Sequence, residues 1–327
     1  MDFELTEEQR LLREFSRAML TAACPPALVR AVADAGTDGD DALWQKAVEL
    51  GWPSLAVAED AGGAGQGVIE LCLVAEEVGR AAAPGPFAES ALVAAAAAGG
   101  GAPDDVVAGL LEGKHKGAVV DAAAPDLIHA AGSADWLLVL GADVRLAPAP
   151  ATKRRTTIDL SRGWYAATGP LDGRVLDLDP HRWRDAMTVL TAADALGAGE
   201  RLLEMTVAYT TVREQFGRPI GSFQAVKHKA ADMLITLQGV RAATYRAAMA
   251  IDAGAPDASL WASVAKAHAA EGVSEVAGTA LQLHGGIGFT WEHDLHLFLR
   301  RAKVDEAIWG NASSHHRRVA ALLRQAG

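Results

Sequence analysis

From Asp179 to the end of the chain, apolar residues recur every three or four positions, and this long 3.6-residue period constrains the fold more than any other feature. Asp179-Pro180 offers an N-cap followed by proline at the first helical position. The spacing predicts helices over about 181–215, 222–252, 257–284, 293–308 and 313–325, punctuated by Gly217 and Pro219, by AGAPD (253–257) and by Gly285-Gly286. Helices of that length must bury their apolar stripes against one another, which means a bundle.

The earlier part of the chain reads differently. Residues 3–20, 41–51 and 68–81 also carry spacings of three and four, separated by turns such as GWP (51–53) and EDAGGAGQG (59–67). Between 117 and 178 the pattern shortens to GAVVDA, DWLLVLGADVRLA, TTIDL and GRVLDLD, which predict strands of a small antiparallel sheet, with PAPATKRR (148–155) as an exposed loop. The expected organisation is a predominantly α, α+β chain in three parts: an N-terminal helical domain (1–113), a short middle β domain (114–178) and a C-terminal helical bundle (179–327).

Bulk properties exclude several classes of function. Acidic residues outnumber basic ones by 41 to 30, and no Lys/Arg-rich run supplies a footprint for nucleic acid or an anionic membrane. The apolar run ALVAAAAAGGGA (91–102) is too short to span a bilayer, and the charged N-terminus does not read as a signal peptide. Cys24 and Cys72 are isolated, which fits a reduced cytoplasmic setting. His293 and His296, and the pair His315-His316, lack further ligands, so no metal site is expected; GGAGQG (62–67) lacks the preceding strand of a dinucleotide loop and reads as a turn.

Two segments carry chemistry. In VREQFGRPIGSFQAVKHKAADM (212–233), Arg213 and Phe216 are three apart, which predicts a shared face at the end of a long helix, where a guanidinium could clamp a phosphate and a ring could cover a flat group beside it. In LQLHGGIGFTWEHDLHLFLRRAKV (281–304), the double glycine ends a helix where backbone can approach a ligand unhindered by Cβ. Together the two segments resemble the acyl-CoA dehydrogenase family, and FELTEEQRLLREFSR and ELGWPSLAVAEDAGGAGQGVIELCLVAEEVGR resemble the opening helices of the same fold.

The resemblance implies a helical N-terminal domain, a middle β domain, a four-helix bundle, FAD as cofactor, and oxidation of an acyl-CoA thioester to its α,β-enoyl form. It also implies that Arg213, Phe216, Ile220, Phe223, Gln282, Gly285 and Gly286 serve the FAD of a neighbouring subunit, Arg213 at its pyrophosphate and Phe216 on its adenosine half.

Two departures narrow the reading. The family's catalytic Glu, counted without gaps from the glycine turn, falls on Trp309, whose indole can donate a hydrogen bond but cannot accept a proton; the position from which other members draw the base falls on Met187. Asp185, Asp305 and Glu306 are the carboxylates near enough in sequence to act as a relocated base. The segment AVVDAAAPDLIHAAGSA after Gly117 is also too short for the strands that hold the flavin ring in the family.

The chain thus resembles the catalytically incomplete subunit of heteromeric, α2β2, actinobacterial steroid acyl-CoA dehydrogenases. Its partner would be a homologous catalytic subunit that supplies the Glu and most of the substrate site, with FAD shared between them and an electron-transfer flavoprotein as acceptor. The alternatives are a homo-oligomeric dehydrogenase with a relocated carboxylate, and a purely structural assembly subunit.

Overall fold

The computed structural model describes residues 4–326. The first helix, α1 (Glu7–Ala23), starts at Thr6, whose hydroxyl accepts from the backbone of Gln9 while the Gln9 side chain accepts from Thr6 N–H. Residue 3, where the helical spacing was expected to begin, lies outside the described residues. Five helices follow: α2 (Pro26–Ala35), α3 (Asp41–Glu49), α4 (Val68–Ala81), α5 (Phe87–Gly99) and α6 (Asp104–Leu111). The Ala-rich α5 is buried almost all round, which is why it shows little periodicity.

The middle region forms two sheets where one antiparallel sheet was expected. In the first, β1 (Gly117–Asp121), β3 (Trp136–Leu140), β4 (Val144–Pro148) and β7 (Arg174–Leu176) stand in the order β1-β3-β4-β7, with β1 and β3 parallel. The second orders β2 (Ile128–His129), β6 (Trp164–Ala167) and β5 (Thr152–Arg155) as β2-β6-β5. Two expectations fail here for local reasons. TKRR (152–155) is a strand because it pairs along β6 from Thr152↔Ala167 to Arg155↔Trp164, although its side chains are mostly exposed. TTIDL contains no strand, because Asp159 turns back to accept from the backbone N–H and hydroxyl of Ser161.

The C-terminal helices are α7 (Pro180–Val212), α8 (Gln224–Asp252), α9 (Ala258–His284), α10 (Leu295–Ala307) and α11 (Ala312–Ala326). As the sequence predicts, Asp179 caps α7 by accepting from His181 N–H at 2.9 Å. The bundle packs directly on the N-terminal helices: a Cβ on Gly197 of α7 would lie 1.8 Å from the Glu76 carbonyl, and one on Gly79 of α4 would lie 2.0 Å from the Asp194 carbonyl. Glycine at both places lets the backbones touch, and this close crossing fixes Asp194 at the wall of the cavity described next. Among the described residues, no helix is long and apolar enough to cross a membrane.

Candidate functional site

A cavity of about 250 Å³ lies where α4, α5, α7, the β region and the α10–α11 turn meet. Met187, Trp309 and the ends of α7 and α10 line it, so both positions that the family resemblance assigns to a base face one space. Neither residue can accept a proton.

Trp309 is held there against its own backbone preference. It has φ +55° and Gly310 has φ +98°, so a bulky residue occupies the left-handed region. Two buried groups hold the turn. Lys266, fully buried, donates through Nζ to the carbonyls of Gly310 at 2.7 Å and Glu306 at 3.3 Å. His315 Nε2 donates to the Trp309 carbonyl at 2.9 Å. Burial lowers Lys266 to about 8 against the pull of Asp305 and Glu306, and burial lowers His315 to about 4.

The three carboxylates offered as relocated bases are engaged elsewhere, and none lines the cavity. Asp185 accepts from the Ser259 hydroxyl and pairs with Arg318 at 2.7 Å. Glu306 accepts from Ser274 at 2.7 Å and from Lys303 at 3.0 Å. Asp305 accepts from Arg162 at 2.7 Å within a buried ionic cluster. In that cluster Arg162 also pairs with Asp159 at 2.5 Å, and Arg301 meets Asp194 through two bonds of 2.7 and 2.6 Å. Burial pushes the Asp305 carboxyl far above its usual range. With Asp305 protonated, two guanidinium groups face two carboxylates, and the cluster is neutral.

Sequence reasoning missed several polar residues that do line the cavity, among them Glu89 on α5, His129 on β2 and Trp164 on β6. Glu89 and His129 are forty positions apart, and only the sheet brings the His129 ring to 2.7 Å from the Glu89 carboxylate. No local spacing could signal that pair.

The predicted half-site gathers at the opposite end of α7. The expectation of a shared helical face for Arg213 and Phe216 is corrected: α7 stops at Val212, and Arg213 is its C-cap in extended conformation. A two-residue hairpin follows, β8 (Glu214–Gln215) against β9 (Arg218–Pro219). At its tip Phe216 (φ +53°) and Gly217 (φ +75°) are both left-handed, the pattern of a type I′ turn. Phe216 is 92% exposed, and its ring stands nearly perpendicular to that of Phe223, at 6.1 Å between ring centroids. Arg213 is exposed and forms no ion pair among the described residues. Ile220 donates its N–H to the Arg213 carbonyl at 2.8 Å, folding the chain back toward α8.

The Tyr209 ring stacks on His284 at 4.6 Å and so joins the end of α7 to the end of α9, where Gln282, Gly285 and Gly286 are exposed. Gly285 has φ +61° and ψ −142°, a conformation essentially reserved for glycine. Among the described residues, apart from the immediate chain neighbours, nothing comes within 4 Å of a Cβ built on Gly285 or Gly286, so internal packing does not demand glycine there.

The family models for the acyl-CoA dehydrogenase N-terminal domain and C-terminal domain match residues 6–103 and 185–323. The chain belongs to the acyl-CoA dehydrogenase family of oxidoreductases. It is 36% identical to acyl-CoA dehydrogenase IpdE2 of Mycobacterium tuberculosis over 90% of this chain and 91% of that protein. Among solved structures, a variant of the Tcur3481-Tcur3483 steroid ACAD superposes with a TM-score of 0.89 at 28% identity, covering 98% of both chains. The ChsE4-ChsE5 complex from Mycobacterium tuberculosis superposes at 0.87, also 28% identical, covering 99% of both.

Proposed function

We propose that this chain is the non-catalytic subunit of a heteromeric, FAD-dependent acyl-CoA dehydrogenase that acts on a bulky, steroid-type acyl-CoA thioester. It lends half of a flavin site to a homologous partner, and the partner supplies the catalytic carboxylate. The domain division at 113/114 and 178/179 belongs to the same reading. The observation that carries it is a contrast between two ends of one helix. Near the start of α7, Met187 and Trp309 line a cavity without a base at either position; beyond its end, Arg213, Phe216, Gln282, Gly285 and Gly286 stand exposed.

The residues fit the cofactor at one end and not at the other. An apolar cavity of about 150 Å³ accommodates benzene, so a cavity of about 250 Å³ has room for roughly ten non-hydrogen atoms, about half of an isoalloxazine ring system. At the far end, a free guanidinium, a protruding ring and two glycines open to the outside suit a dinucleotide presented by a second chain. Arg213 would bind the pyrophosphate, Phe216, Ile220 and Phe223 would cover the adenosine half, and Gln282, Gly285 and Gly286 would approach the pyrophosphate side. Bound FAD supplies the electron acceptor of the dehydrogenation, and an electron-transfer flavoprotein takes the electrons onward. Exposed Val212, Phe289 and Trp291 flank this end and supply apolar area for the partner.

The steroid assignment draws on the steroid ACAD as a structural neighbour. The test is Arg213→Ala in the co-purified complex. Loss of flavin with the two chains still associated supports the lent half-site; unchanged flavin content favours a purely structural subunit.

A further inference from the structure

We propose that Arg218 covers the adenine ring of the partner's FAD with the outer face of its guanidinium, and that Phe223 acts from behind as a positioning residue, holding that face in place. The contact belongs to the lent half-site proposed above and rests on that reading.

Arg218 is built into the hairpin. It sits on β9 opposite Gln215, and Pro219 follows it. The chain then runs through a short helical turn at Ile220–Ser222 to Phe223, where α8 starts. That turn lies hard against α7, since a Cβ on Gly221 would come 2.9 Å from the Thr210 carbonyl. Phe223 is half-buried, and the Arg218 guanidinium carbon lies over its ring, 4.1 Å from the ring centre. At that distance the planar cation stacks on the aromatic face, which sets its tilt and turns its other face outward.

The outward face is reachable. Arg218 is exposed, and among the described residues its guanidinium has no hydrogen-bonded or ionic partner. It carries its charge at every working pH, so the stack needs no particular protonation state. A stacked guanidinium takes a flat, electron-rich ring on its free side, and adenine is the ring that FAD brings to the adenosine half. A phosphate would approach the N–H edge instead, and other cations stand ready for it. Besides Arg218, the exposed charges of residues 213–232 are Arg213, Lys227 and Lys229 against the carboxylates Glu214 and Asp232, with His228 beside the two lysines.

The test uses the complex of this chain with its partner, stripped of flavin and titrated with FAD, with binding read from flavin fluorescence. Arg218→Ala should weaken FAD by about tenfold or more. Arg218→Lys keeps the charge and loses the plane, so it should weaken FAD nearly as much, and the loss should persist at high ionic strength. Arg218→Tyr, flat and uncharged, should stay within about threefold of the wild type. Phe223→Leu should also weaken FAD and Phe223→Tyr should not, while Phe223→Leu adds little to Arg218→Ala because the two side chains act as one unit. Unchanged affinity in Arg218→Ala overturns the proposal, as does a Tyr variant no better than the Ala variant. Full affinity in Arg218→Lys, or a loss that vanishes with salt, assigns Arg218 to a phosphate and overturns it equally. Arg213→Ala, measured alongside, separates the two levels. If it weakens FAD while Arg218→Ala does not, the stacking role alone falls; if neither variant weakens FAD, the lent half-site falls with it.

Discussion

Lys266 provides a quantitative test of how the Trp309 turn is held. Its ammonium is fully buried, and burial lowers it from 10.5 to about 8. A lysine with a lowered folded value binds more protons in the unfolded state between those two limits, so stability must rise with pH across the window from about 8 to 10.5. Below pH 8 the full penalty of the buried charge applies, about 3 kcal/mol. Summed over both protonation states, the penalty falls by about 2 kcal/mol between roughly pH 7 and pH 9.5. Lys266→Met removes the charge and with it this dependence, although it also removes the donors to Gly310 and Glu306. Chemical denaturation of both proteins at the two pH values isolates the effect, because other titrating groups cancel in the difference. The wild type should gain about 2 kcal/mol relative to the variant on going to the higher pH. A constant difference, or one of opposite sign, would refute the claim that a charged lysine is buried under this turn.

Other perturbations follow from the same geometry. Arg162→Met should strand the Asp159 carboxylate in the interior and cost about 3–5 kcal/mol, read as a lower denaturation midpoint or loss of soluble protein. Phe216→Gly should relieve left-handed strain and raise the stability of the isolated chain by about 1 kcal/mol, yet weaken association with the partner, measured by denaturation and by co-purification. Trp309→Glu should leave the lone chain colourless and inactive, since a carboxylate at that place does not enlarge the cavity enough for a flavin ring; flavin absorbance and acyl-CoA-dependent dye reduction would check it.

Legibility of the sequence varied with the range of the interaction that decided each element. The expected helix at 181–215 is α7 at 180–212, and the one at 257–284 is α9 at 258–284, because caps, proline and glycine near their ends act locally. The hairpin that replaces the last helical residues before Phe216 is also local, yet a phenylalanine at a left-handed position hides the turn that glycine or asparagine would announce. Strands β2, β5 and β6 escaped notice since two to four residues carry too little alternation, and their pairing joins segments far apart in sequence. Trp309 and Met187 could be placed by motif counting, and the structure puts both at one cavity; Glu89, His129 and Trp164 could not, because nothing but tertiary folding brings them together.

The central claim is that this chain carries half a flavin site for another subunit. Flavin absorbance per chain tests it most directly, on the chain expressed alone and then co-expressed with its homologous dehydrogenase partner. The account predicts a colourless lone chain and a yellow complex with one FAD per pair of chains. A lone chain that is yellow and dehydrogenates an acyl-CoA would contradict it.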